Sequence, residues 1–432
     1  MPLRSHGSKL AFSTRGKLVA GLCALLLLLQ LFRTSLCPSS SPSSPHHPGA
    51  LPRPLVSLTS TRQRLSTSLP PTVWSLVRQS LPPRAVRIHL PLEQQHAFSL
   101  ADLDPVFRHP LVELRFVEDE GPATKFLPAL REALETAANG GDLRALDDPV
   151  VVLDDDHVYS PVALETLARA WVERGGRAAV GSRGWRVRED RKWGVSGWEE
   201  VRRHVVEGWR IRKPYRVGVV TANEAYMVAP SFFLPPSTRT LLSSLSTPSR
   251  DFPPSPSQQP PPSPSIDRSL LLPLALPLFS PSPGAPQSLH LVDDLHLSGC
   301  LALSRIARFV VPLPPPDPPS LDITPPSRTA EEKQGGPRSP LEHHLREHGK
   351  TRAEANDEAL GWYGDAFGAE RDEEGREIWY DMRSAAERRA DVSSQGREPD
   401  WAGWGGRTWS EVSKWAYWRR ARGRWGEKVW WN

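Results

Sequence analysis

PVVVLDDDHVYSP, residues 149–161, is the stretch on which the reading of this chain turns. Val150–Leu153 is apolar at every position rather than at alternate ones. Such a strand is buried on both faces, as in parallel sheets covered by helices. Three aspartates follow it at once. A buried strand therefore delivers carboxylates to the carboxyl edge of a sheet, where α/β proteins bind their ligands.

Working outward, Val86–Leu90, ended by Pro91, and the alternating Leu111–Val117 predict two upstream strands. Phe126, Leu127, Leu130 and Leu134 recur at helical spacing, so residues 123–137 read as a helix. Downstream, Pro161 suits the first turn of another helix. Its apolar face is Leu164, Leu167, Ala168 and Trp171, Gly175-Gly176 end it, and Arg177–Gly181 predicts the next strand. Alternating strands and helices give an α/β fold with a mostly parallel sheet.

The aspartates carry the chemistry. Asp154 and Asp156 are two apart, and an extended segment points both to the same side. Two hard oxygen ligands suit Mn²⁺ or Mg²⁺ and leave coordination positions for a diphosphate. The competing reading is an acidic loop capping the next helix, favourable by about 0.3–1 kcal/mol. A cap needs only one Asp, and three in a row repel one another unless a cation sits among them.

Composition divides the rest. The chain has 432 residues and 46 prolines, about twice the usual ~5%. Residues 38–84, 235–289 and 312–340 hold 35 of them, so folding segments alternate with stretches too poor in apolar residues to offset their ordering entropy. The first reads as a Pro/Ser-rich stem over 34–84. Residues 1–17 carry four basic groups and no acidic one, residues 401–432 sum to +5, and the whole chain is +5, which leaves 18–400 at −4. The central part is not a basic nucleic-acid binder.

Residues 18–32 (LVAGLCALLLLLQLF) are apolar apart from Gln30 and are bracketed by Lys17 and Arg33. Positive charge before the run and no Ala-x-Ala site after it favour a type II signal anchor over 18–33 against a cleaved signal peptide. Residues 1–17 would then be cytoplasmic. A short span suits the thinner bilayers of the Golgi or endoplasmic reticulum. Cys37, just past this run, could cross-link two chains in an oxidising lumen; a free thiol is the plainer reading. The tail over 401–432 holds eight of the sixteen Trp. A lumenal address argues against its stacking on nucleic acid and for docking on the domain, a sugar or the membrane. His343, His344 and His348 lie at helical spacing, as solvated helix histidines or a third metal ligand.

Taken in order, residues 119–130 (DEGPATKFLPAL), 149–161, 177–185 (RAAVGSRGW) and 290–304 (HLVDDLHLSGCLALS) resemble the GT-A-fold glycosyltransferases. In those enzymes a DxD motif holds a divalent metal and the diphosphate of a nucleotide sugar. The similarity covers residues 86–234 and 290–312. It implies a Rossmann-like, nucleotide-sugar-binding domain over 85–312 with a disordered insertion at 235–289. A Pro-rich linker (313–340) and a charged, Trp-rich region (341–432) would follow. It also implies Mn²⁺ or Mg²⁺, a UDP-sugar donor and a glycan or glycoconjugate acceptor. Asp154, Asp155 and Asp156 occupy the DxD position, Asp154 and Asp156 as metal ligands and Asp154 and Asp155 toward the donor. Thr124 and Lys125 fall near the donor nucleotide. Asp293 and Asp294 begin a late helix, and in an inverting enzyme one would be the base that deprotonates the acceptor. Trp185 could stack on a sugar or fill the core. Residues 218–233 (GVVTANEAYMVAPSFF) depart from the pattern, with Ala222, Glu224 and Ala225 where a glycine-rich turn belongs.

Two other function classes fit parts of the sequence. VVVLDDDHV matches the strand-then-DxDxV opening of haloacid-dehalogenase-like phosphatases, with Asp154 as nucleophile. That motif opens its domain, whereas here α/β pattern already runs from Val86. The third class is a non-catalytic binding protein that keeps the fold.

Overall fold

The strand that ends in the aspartates lies inside an eight-stranded sheet. In chain order the strands are β1 (Leu55–Thr59), β2 (Ala85–Pro91), β3 (Val112–Val117), β4 (Val150–Val152), β5 (His157–Tyr159), β6 (Ala179–Gly181), β7 (Arg183–Trp185), β8 (Val205–Glu207), β9 (Tyr215–Arg216), β10 (Val219–Val220), β11 (Tyr226–Val228), β12 (Arg308–Val310) and β13 (Ser320–Asp322). The main sheet runs β3-β2-β1-β4-β11-β6-β12-β9, with β10-β7-β8 and β13-β5 as separate small sheets. Pairings β1–β2, β2–β3, β1–β4 and β6–β12 are parallel, and β11 runs antiparallel to both β4 and β6. The fold is therefore mixed α/β with a mostly parallel sheet.

This is a computed structural model, and it describes residues 50–96, 103–187, 205–208, 211, 213–246, 267–279, 284–313, 320–322, 345 and 349–368. From Leu51 onward the chain forms one unit. The expected cytoplasmic tail (1–17) and signal anchor (18–33), Cys37, His343, His344, His348 and the Trp-rich 401–432 lie outside the described residues. Among the described residues no helix is long and apolar enough to cross a membrane.

Val150, Val151, Val152 and Leu153 are all at most 2% exposed, as a strand covered on both faces requires. Among the described residues the longer helices are α1 (Leu69–Val77), α2 (Leu127–Ala138), α3 (Ala163–Glu173), α4 (Pro236–Ser246), α5 (Asp293–Leu303) and α6 (Arg352–Trp362). The predicted helix over 123–137 divides into a 3-10 turn, Gly121–Lys125, and α2. Helix α3 buries Leu164, Leu167, Ala168 and Trp171. It stops at Gly175 and Gly176, both at positive φ, where glycine has no Cβ penalty.

Three expectations are corrected. The stem does not extend to residue 84, because Leu55–Thr59 is an inner strand of the sheet and α1 packs against β2 and β5. Its prolines sit where secondary structure accepts them: Pro52 and Pro54 before β1, Pro70 and Pro71 in the first turn of α1, Pro82 and Pro83 before β2. Composition averaged over the window hid two apolar runs, LVSLT and LPPTVWSLV. The insertion 235–289 is not disordered throughout, since α4 occupies its start, and within its later part Leu271, Ala275 and Leu278 are buried against the core. Nor does the domain stop at residue 312. In α6 Ala355, Ala359 and Leu360 are buried, and the following Tyr363 and Phe367 join the same core.

Leu58 in β1 is fully buried, so Leu58→Ala should cost about 2–5 kcal/mol in urea unfolding. A loss below about 1 kcal/mol would return this segment to the role of a tether.

Candidate functional site

The order β3-β2-β1-β4 reverses direction between β1 and β4, and the crevice beyond the carboxyl ends of strands at such a switch point is where open α/β sheets bind ligands. Here those ends carry Ser60–Arg64 after β1 and Asp154–Asp156 after β4. They line a cleft of about 1880 Å³ together with Lys125, Arg183, Trp185, Thr221, Asp293 and Asp294.

Lys125 is the centre of the site. Its ammonium donates to Asp154 Oδ1 at 2.8 Å and lies 2.8 Å from Asp293 Oδ2. Burial alone would lower its pKa, but Asp154, Asp293 and Asp294 reverse that and hold it well above the usual lysine value. The backbone beneath is fixed too. Ser57 on β1 donates its only hydroxyl proton to the Lys125 carbonyl at 2.6 Å, so His89 Nε2–H must donate to Ser57 Oγ at 3.0 Å. His89 is buried, and that burial together with Arg87 and Arg115 pushes its pKa down to about 4. The neutral tautomer is therefore the native one.

The three aspartates do not align as an extended segment would place them, because Asp155 and Asp156 sit in a turn between β4 and β5. Asp154 faces Lys125. Asp155 is buried, accepts from Ser60 Oγ at 2.5 Å and pairs with Arg64. Burial raises its carboxyl to about 6, against the opposing pull of Arg64 and the Ser60 hydrogen bond. Asp156 Oδ1 meets His157 Nδ1 at 2.8 Å and its other oxygen is 3.5 Å from Arg64. Tyr159, also buried, clamps the backbone of Asp154 by donating to its carbonyl at 2.9 Å and accepting from its N–H at 3.1 Å.

Asp294 stands on the opposite wall, in the first turn of α5. Its Oδ1 accepts from the Ala222 N–H at 3.1 Å, while the Ala222 carbonyl accepts from the Asp154 N–H at 3.3 Å. One turn, Ala222–Glu224, thus holds both walls. It leads into β11 through Ala225 at φ 86°, the conformation for which glycine is the usual choice. An alanine there stores on the order of 1–3 kcal/mol of strain. Burial first, and the neighbouring Asp293 charge second, raise the Asp294 carboxyl to about 8.

The structure brings together Lys125, Asp154, Asp155, Asp156, Asp293 and Asp294. It does not bring Thr124 to the cleft. That side chain is fully buried, accepting from Glu120 N–H at 2.8 Å and donating to Asp119 at 3.4 Å, so it closes the turn rather than meeting a ligand. Trp185 lines the cleft, with the Arg183 guanidinium 5.9 Å from its ring centre. Arg64, Ser60, Tyr159 and the Ala222 N–H were not legible as site residues. Arg64 and Ser60 become so only once LVSLT is recognised as a strand ending at the same edge as β4.

Among the described residues no set of three His, Cys, Asp or Glu side chains gathers around one point. The donor chemistry still fits a divalent cation that arrives with a diphosphate, since such ions use one or two carboxylates and take further oxygens from phosphate and water. Asp154 and Asp156, partly exposed on the cleft, are the residues of that type.

Neither a protein-family model nor a curated protein matches the sequence. Among solved structures the chain is similar to S. aureus TarS, at 12% identity and a TM-score of 0.30 over 61% of this chain. The match spans 37% of that protein's length. It is also similar to the mannosyltransferase PcManGT from Pyrobaculum calidifontis, solved with GDP-Man and Mn²⁺, at 18% identity and a TM-score of 0.32 over 93% of this chain and 94% of that one.

The raised Asp294 carboxyl makes a thermodynamic prediction. The native state keeps a proton that the unfolded chain releases near the ordinary carboxylate value of 3.8, and gives it up only at about 8. Between those values the native state binds more protons, so this group's contribution to stability falls as pH rises. Asp294→Asn, which keeps an acceptor for the Ala222 N–H, should match the parent near the acid end and exceed it in urea unfolding at the alkaline end. Parallel pH profiles for the two proteins would contradict the assignment.

Proposed function

We propose that the protein is a metal-dependent, inverting glycosyltransferase that moves a hexosyl group from a nucleotide-diphosphate sugar to a hydroxyl of a glycan or glycoconjugate acceptor. The observation that carries this reading is the gathering of Asp154, Asp155, Asp156, Asp293 and Asp294 at the switch point, where Lys125 pairs with Asp154 and Asp293 and Arg64 with Asp155 and Asp156. A diphosphate entering such a site needs a divalent counter-ion, and a site this acidic concentrates one.

A divalent cation held by Asp154 and Asp156 would offset the charge that builds on the departing diphosphate. The chain's own groups do the rest. Lys125 keeps Asp154 and Asp293 at fixed separation, Arg64 keeps Asp155 and Asp156 in their turn, and the Ala222 N–H aims Asp294 across the cleft. In the transfer the acceptor oxygen forms a bond to C1 of the donor sugar. The bond from C1 to the diphosphate oxygen breaks, its electron pair leaves with the nucleoside diphosphate, and the acceptor proton passes to the ionised Asp294 carboxylate. Proton removal on the face opposite the leaving group gives a single displacement, hence inversion.

UDP as the nucleotide, the Golgi or endoplasmic reticulum lumen as the address, and type II anchoring by residues 18–33 belong to the same proposal and rest on the sequence resemblance and the N-terminal charge pattern. The test is a donor screen of the chain with Mn²⁺, scoring nucleotide release and the anomeric configuration of the product by NMR. We expect an inverted anomer and a rate that rises with pH toward about 8 as Asp294 ionises. Asp294→Asn should lower kcat by about 10²–10⁴-fold. Phosphate release from phosphomonoesters with Asp154 phosphorylated would favour the phosphatase reading. A retained anomer would remove Asp294 as base.

A further inference from the structure

A segment far from the aspartates in sequence supplies one wall of the cleft. Helix α6 and the turn before it contribute Lys350, Arg352, Ala353 and Asn356 to its lining. The segment is held firmly. Thr351 and Glu354 form a reciprocal capping box at the start of α6. Glu358 accepts from Lys350 Nζ and from Ser288 Oγ, both at 2.6 Å, which joins the segment to the turn just before Asp293.

Its far end is seated on α5 itself. The Leu278 carbonyl can only accept, so His296 Nε2–H donates to it at 2.9 Å, and His296 Nδ1 accepts from the Tyr363 hydroxyl at 2.7 Å. The Tyr363 ring lies so close to α5 that a Cβ on Gly299 would come within 2.2 Å of it. The helix that carries Asp294 and the helix that carries Asn356 are therefore one rigid wall.

Within that wall Asn356 stands out. It is 5% exposed and lines the cleft, and among the described residues its side-chain amide makes no hydrogen bond. Its polar atoms still reach the cleft, so a group that enters there is their natural partner. An amide both donates and accepts, which matches a hydroxyl. The nearby Lys350 ammonium is already paired with Glu358 and Arg352 stands exposed at the start of the helix, so the contact that Asn356 itself offers is neutral.

We propose that α6 carries the acceptor subsite, with Asn356 taking a hydroxyl of a neutral carbohydrate acceptor beside Asp294. This rests on the glycosyltransferase reading, in which the acceptor must lie within hydrogen-bond reach of the base and hence against the wall of which α5 and α6 are parts.

The test uses the full chain, a panel of neutral methyl hexosides as probes, and the variants Asn356→Ala and Asn356→Asp. Saturation-transfer NMR reports hexoside binding, calorimetry reports the Kd for UDP and GDP with Mn²⁺, and transfer assays report acceptor KM and kcat. We expect hexoside contact in the parent and its loss in Asn356→Ala. Acceptor KM should rise by about ten-fold, as for the loss of one hydrogen bond, with the larger change in KM and nucleotide Kd within about two-fold. Asn356→Asp, which retains shape, should weaken the acceptor less than the alanine. No hexoside binding to the parent, an unchanged KM, or parallel loss of nucleotide affinity would each overturn the subsite. Hexoside binding that depends on Asn356 without turnover of any donor would sustain the subsite and instead remove the glycosyltransferase reading.

Discussion

A lysine ammonium buried between two carboxylates holds the site together. Lys125 joins Asp154, at the end of β4, to Asp293, at the start of α5, at 2.8 Å on each side. These aspartates are far apart in the chain and would repel one another across the cleft without it. Removing one partner of a buried ion pair typically costs about 3–5 kcal/mol, because the other charge is left uncompensated. The lysine is also anchored from below, through its carbonyl, by the Ser57 hydroxyl and the His89 imidazole of two neighbouring strands. The geometry of the cleft floor thus depends on β1 and β2 as much as on β4.

The same cluster concentrates carboxylates at one edge of the sheet. Lys125 and Arg64 pair with four of them, and burial raises two of the cluster, Asp155 to about 6 and Asp294 to about 8. Raised carboxyls signal negative charge awaiting a cation or a proton. Asp155 is buried and bonded to Ser60 and Arg64, which suits holding the turn. Asp294 is reached from the cleft and held by a backbone N–H, which suits receiving a proton. The strained Ala225 belongs to this economy of positions: it sets the turn whose N–H and carbonyl grip Asp294 and Asp154 together.

Much of this could be read from the residues, and what could not has physical reasons. Val150–Leu153 announced its burial because every position is apolar, and the family resemblance of GPATK and VDDL pointed to Lys125, Asp293 and Asp294, and also to Thr124, which the structure keeps out of the cleft. β1 was hidden because a composition window gives its flanking prolines the weight of disorder, although proline at an element's edge fits the backbone. The Arg64 contacts with Asp155 and Asp156 join residues about ninety positions apart, which spacing rules do not reach. Asn356 and Tyr363 lie beyond a Pro-rich stretch that broke the pattern, and their ties to the core, the seat on Gly299 and the His296 hydrogen bond among them, join residues far apart in sequence. The extended-segment argument for Asp154 and Asp156 failed because β4 ends at Val152, two residues before Asp154, and the chain turns at Asp155 and Asp156.

The central claim is that this acidic cleft takes up a nucleoside diphosphate only together with a divalent cation. Calorimetric titration of the full chain with UDP and with GDP, in Mn²⁺ and then in excess chelator, tests it most directly. The account predicts saturable binding of one of them with Mn²⁺, lost in chelator and lost in Asp156→Ala. Binding that is equal with and without the metal, or that survives Asp156→Ala unchanged, would contradict it.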